Sequence, residues 1–241
     1  MKKILLPFAV LAIVNTANAQ FPKVLERAGG AIQGKGSGLT NEEVVAGLKE
    51  ALGKGAVQAV GHASKLDGFW GDPRLRIPFP PEADRMKTTL VKIGIEPQVN
   101  EFELTMNRAA ENASKEAAAI FLSAIKGMSV SDGFAILKGG DNAATQFLRE
   151  RTTTELRSRF RPIVEKATSE VALSSYWSPL AGAYNKAGMF TGTTAVDPDL
   201  DGYITEKAID GLFLLVADEE ARIRKDPMAR TSDLLQRVFG N

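Results

Sequence analysis

The chain has 241 residues, 30 Lys and Arg against 29 Asp and Glu, one histidine and no cysteine. Near-neutral, interspersed charge leaves no electrostatic footprint for nucleic acid or anionic lipid. The missing cysteines exclude disulfides, thiol nucleophiles and thiolate metal sites, and one histidine, His62, excludes a multi-histidine metal centre within one chain. No cofactor is expected, and any metal would have to rest on oxygen ligands.

Residues 1–19 read as a signal peptide. Lys2 and Lys3 form a basic start, Ile4 to Val14 an apolar core, and Ala17-Asn18-Ala19 the small residues accepted at a cleavage site. The apolar run is shorter than the about 20 residues a spanning helix needs. Cleavage between Ala19 and Gln20 would leave 28 basic and 29 acidic residues and a periplasmic or secreted chain with no transmembrane segment. Residues 20–38, glycine-rich from 28 on, read as a flexible arm, and 39–241 as a single all-helical domain. Gly29-x4-Gly34-Lys35 is a near miss for a phosphate loop: the expected hydroxyl position is Gly36, and no strand precedes it.

Apolar residues then recur at helical spacing. The first pattern covers 40–60, opened by a capping box of Thr40 and Glu43. A connection at 68–81 (GFWGDPRLRIPFPP) follows, aromatic and proline-rich. It is either an aromatic–arginine binding edge of Phe69, Trp70, Arg74, Arg76 and Phe79, or a stiff strap over helix ends. A long second pattern runs 97–126 from Phe102 and Met106 to Ile120, Phe121 and Ala124. On it Asn107, Arg108 and Glu111 share one face, either as a buried polar network or as a ligand-facing site.

Ser123-x-x-Lys126, Ser131-Asp132-Gly133 and Lys138-Gly139-Gly140 imitate the motifs of penicillin-interacting enzymes but lie too close together, so helix ends and caps explain them. Thr152 with Glu155 opens a further helix carrying Leu156, Phe160 and Val164. Gly127, Gly139-Gly140, Gly188 and Asp226-Pro227 mark stops. Residues 208–217 (AIDGLFLLVA) are apolar almost all round, which predicts a helix at the centre of the core. The charged run from Asp218 to Arg224 predicts salt bridges along a solvated helix, and Leu234 to Phe239 a last amphipathic turn.

Asp197, Asp199, Asp201 and Gly202 match the first positions of a calcium loop, but the closing bidentate acid is replaced by Ala208. Capping of the helix that follows is the better account. His62, with no nucleophile spaced to meet it, reads as a helix-end residue. No segment alternates over a strand's length. The expectation is an all-α fold, an irregular bundle of about seven to ten helices with no significant sheet.

The segments GLKEAL (47–52), GF (68–69), RIPFPPE (76–82), MNRAAE (106–111), KGGDNAATQF (138–147), YITEKAIDGLF (203–213) and DLLQRVFG (233–240) resemble the bacterial exported family catalogued as domain of unknown function 4197. The resemblance spans roughly 39–240. It implies an all-helical envelope protein and supplies no activity, so no residue inherits a catalytic role. It also weakens the calcium reading, since members share the helix start at Leu200, Asp201 and Thr205 more than a full set of acids. With no nucleophile–base pair legible, the expectation is a non-enzymatic domain. Its partner would be a small apolar or amphipathic ligand or an envelope protein. The alternatives are a carboxylate-based hydrolase of an envelope glycan and, more weakly, a calcium-binding protein.

Overall fold

The computed structural model describes residues 40–191 and 195–225. The expected signal peptide, the glycine-rich arm with its phosphate-loop near miss, the stop at Asp226-Pro227 and the closing turn at 234–239 lie outside the described residues. Within them the fold is all-α, with no strand.

Helix α1 (Asn41–Ser64) begins at the expected capping box: the Glu43 amide donates to Thr40 Oγ1 at 3.2 Å, and the Thr40 amide to Glu43 Oε2 at 2.7 Å. A strap of turns and extended backbone follows, ending in a 3-10 turn at Pro81–Ala83 and the short α2 (Asp84–Lys92). The expected helix over 97–126 is two: α3 (Glu96–Ser114) and α4 (Ala117–Lys126). At the join the amides of Lys115 and Glu116 turn to Asn112 and Ala113, three residues back instead of four. The join contains neither glycine nor proline, so no breaker betrays this tightening.

Helix α5 (Val130–Lys138) is opened by a capping box of Ser129 and Asp132, and Gly139 stands at its C-cap. Helix α6 (Ala143–Ser169) starts well before the expected Thr152. Thr152 is buried inside it, its hydroxyl donating to Leu148 O at 2.6 Å, so a cap-like sequence sits in mid-helix. Helix α7 (Ala172–Thr191) runs through Gly188, which is not a stop. Helix α8 (Leu200–Lys225) occupies the centre as expected, packing on α1, α3 and α6.

Among the described residues the core is one main cluster, with Ala51 and Ile223 as a separate pair. Phe79, Phe102 and Trp177 form one aromatic cluster, with centroids 5.4 to 6.0 Å apart, and Phe121 meets Phe213 at 5.6 Å. No single described helix is long and apolar enough to cross a membrane. The bent stretch from Glu96 to Lys138 passes on length and composition, but the apolar face of α3 (Phe102, Met106, Ala109, Ala110, Ala113) is buried inside the protein.

Candidate functional site

The two segments left open by the sequence are partners of one another. The strap, residues 67–80, is fastened to α3 by the Asn107–Arg108–Glu111 face. Asn107 is buried; its Oδ1 accepts from the Ile77 amide at 2.8 Å while its Nδ2 donates to Ile77 O at 2.9 Å and to Glu103 O at 2.8 Å. Glu111 Oε1 takes the consecutive amides of Phe69 and Trp70 at 3.1 and 3.2 Å. Its other oxygen accepts from Arg108, which also donates to Asp67 at 2.8 Å. The Glu111 carboxylate holds the Arg108 guanidinium pKa above its ordinary value. Asp67 adopts φ 61°, a left-handed conformation that Asp tolerates better than most residues, and this turns the chain into the strap.

Phe69 and Phe79 are buried beneath the strap and do not form a binding edge. Phe69 is seated on α8 at Gly211, where an added Cβ would come within 2.7 Å of the Phe69 ring. The Tyr203 hydroxyl donates to Pro78 O at 3.2 Å; burial, helped by Glu82, Asp84 and Glu103, pushes its pKa up to about 12.

Between the strap, the first turns of α6 and the exposed side of α8 lies an open groove of about 570 Å³. That volume lies within the roughly 300–1,000 Å³ of small-ligand sites. Its strap wall is Arg74 to Pro78; α6 and its N-cap contribute Asn142, Thr145, Gln146 and Arg149, and α8 contributes Lys207, Asp210 and Leu214. Two of the expected site residues, Arg74 and Arg76, therefore line it. Arg74 is paired: it bonds Asp72 and, at 2.7 Å, Asp218, and these carboxylates raise its pKa while it lowers that of Asp72. Arg76 lies over the half-buried Trp70, its guanidinium carbon 4.0 Å from the ring centroid, and donates Nε to Trp70 O at 2.8 Å.

Arg149, Lys207, Asp210 and Leu214 were not legible as site residues. Arg149 covers the Phe213 ring at 4.4 Å and bonds Asp210 at 2.9 Å. The stripe Lys207, Asp210, Leu214, spaced three and four along α8, opens to the groove, so the helix is not buried all round. That spacing was the one available signal, hidden by the apolar run around it.

The acids of the calcium-loop candidate are engaged elsewhere. Asp199 caps α8, accepting from the Gly202 amide at 3.0 Å, and its pKa is lowered by the Arg161 guanidinium that bonds both its oxygens. Asp201 accepts from Thr168 at 2.6 Å, and Asp197 from the Asp199 amide at 2.8 Å. Among the described residues no cluster of acids or histidine is arranged to hold a metal ion. His62 stands in the last turn of α1, 3.7 Å from Asp72. The 218–224 run departs from a solvated face at Glu220, which is buried against the start of α6 and accepts from the amides of Ala144 and Thr145 at 3.0 and 2.8 Å. A carboxylate from another helix thus does the work of an N-cap, because those amides have no partner of their own.

No curated protein and no solved structure was similar enough to count as a match. Residues 38–240 match the family model described as a protein of unknown function (DUF4197), which takes in the strap, the α3 face that fastens it and both helices of the groove; the chain belongs to that family.

Proposed function

We propose that this is a non-enzymatic protein of the bacterial envelope, exported through residues 1–19, whose groove between the strap, α6 and α8 binds a small amphipathic ligand. The observation that carries the reading is the groove itself. Charged termini and apolar side chains face the same open space, over a wall fixed by buried hydrogen bonds. A preformed wall lowers the ordering cost of binding. A carboxylate hydrolase needs two carboxyls about 5–10 Å apart in one cleft. Among the described residues this groove is lined by one, Asp210, and Arg149 is bonded to it.

The test is native mass spectrometry on protein recovered from the envelope fraction of its own cells, before and after organic extraction. The expected result is a chain starting at Gln20 that carries one small-molecule adduct, lost on extraction. A bare chain under conditions that preserve non-covalent complexes would overturn the ligand reading. An uncleaved chain confined to the cytoplasm would overturn the export.

A further inference from the structure

Four cationic side chains line the groove against one carboxylate, but they are not equivalent. Arg74 is matched by Asp72 and Asp218, and Arg149 by Asp210. Arg76 and Lys207 have no carboxylate partner among the described residues, and both are exposed. Arg76 is also built into place. Its guanidinium sits over the Trp70 ring, its Nε is spent on Trp70 O, and the Trp70 amide is held by buried Glu111. What remains is the terminal fork of the guanidinium, oriented and without an acceptor. A fixed fork matches the two oxygens of a carboxylate or phosphate, and pre-orientation reduces the rotamer entropy lost on binding. Beside it Leu214, 39% exposed, and Pro78 present apolar surface within the same groove.

We infer that the groove takes one oxyanion head, carboxylate or phosphate, carried on an apolar chain, with the Arg76 fork as its anchor and Lys207 as the second cation. This rests on reading the groove as a ligand site. The groove's volume suits a small molecule.

The test is isothermal titration of the extracted, full mature chain with decanoate and decyl phosphate below their micelle concentrations and with decanol below its solubility limit. Decanoate or decyl phosphate is expected to bind one to one, with decanol at least about ten-fold weaker. The tighter of the two acids identifies the head. Arg76→Gln and Lys207→Gln should each weaken the acid by about ten-fold, with Arg76→Lys in between because it keeps charge and loses the fork. Arg85→Gln on α2 should change nothing. Unchanged acid binding in Arg76→Gln, with an unchanged melting temperature, overturns the anchor. Decanol binding as tightly as the acids, and weakened by Leu214→Glu, overturns the oxyanion while the groove reading stands. An acidic peptide binding more tightly than either acid overturns the amphiphile. No binding of any probe overturns both readings.

Discussion

Asn107 gives the strap the pair of backbone hydrogen bonds that a neighbouring strand would give it, from a single side chain on a helix. Ile77 is buried, so both its amide and its carbonyl need that partner. Asn107→Ala strands two buried backbone groups and should cost about 2–4 kcal/mol. Thermal unfolding should show a fall in Tm of roughly 5–15 °C. Asn107→Asp is the sharper comparison, since Asp keeps the acceptor for the Ile77 amide and loses the donor to its carbonyl. A Tm equal to that of the parent in Asn107→Ala would mean that the strap is held without it. Glu111 and Arg108 stood out in the sequence for their spacing, but spacing shows only that side chains share a face. What they face was decided by a segment about 40 residues earlier in the chain.

Helices α1 and α8 carry glycines of opposite meaning. Gly61, exposed in α1, has nothing within 4 Å of an added Cβ, so Gly61→Ala should stabilise by about 0.5–1 kcal/mol through the unfolded chain's entropy. Gly211 in α8 is the seat of Phe69, which cannot retreat because its amide is bonded to Glu111. Gly211→Ala should destabilise by about 1–3 kcal/mol through overpacking and shift the strap wall of the groove. Denaturant unfolding of the two variants should move in opposite directions, and a gain at Gly211 would contradict the packing described. At the start of α6, Glu220→Ala removes the acceptor shared by two amides and should cost about 2–4 kcal/mol, with protection from hydrogen exchange lost first in the first turn of α6. The capping boxes of α1 and α5 are local in sequence, and the first was legible for that reason. The start of α6 is capped from a residue 76 positions away, so a T-x-x-E pattern inside the helix pointed to the wrong place.

Over the whole molecule, acid should loosen the fold through its paired carboxylates. Asp72, Asp132, Asp199 and Glu206 are held below their ordinary values of 3.8 for Asp and 4.5 for Glu by hydrogen bonds from Arg74, Ser129, Arg161 and Arg157 respectively. Each folded value is depressed, so its contribution is fully present above the unfolded value and lost as pH falls through the folded one. Tm is therefore expected to be level above about pH 5 and to fall below it. Asp199→Asn, which keeps a good cap and removes the titration, should make the acid limb shallower. An acid limb of unchanged slope would show that the Asp199–Arg161 pair adds nothing.

The amino-acid sequence by itself determined the helical class, the absence of cysteine chemistry, the central place of the 208–217 segment and the capping of α1. Each rests on periodicity, composition or contacts within one turn, which a linear reading can see. The tertiary structure decided that the aromatic segment is a fastened strap with Phe69 and Phe79 inward, that Glu220 caps a distant helix, and that Arg76, Lys207 and Leu214 face one groove. These depend on which helix faces meet, and that is set by packing between residues far apart in the chain. Local spacing names the residues of a face; only the packed core says what the face meets.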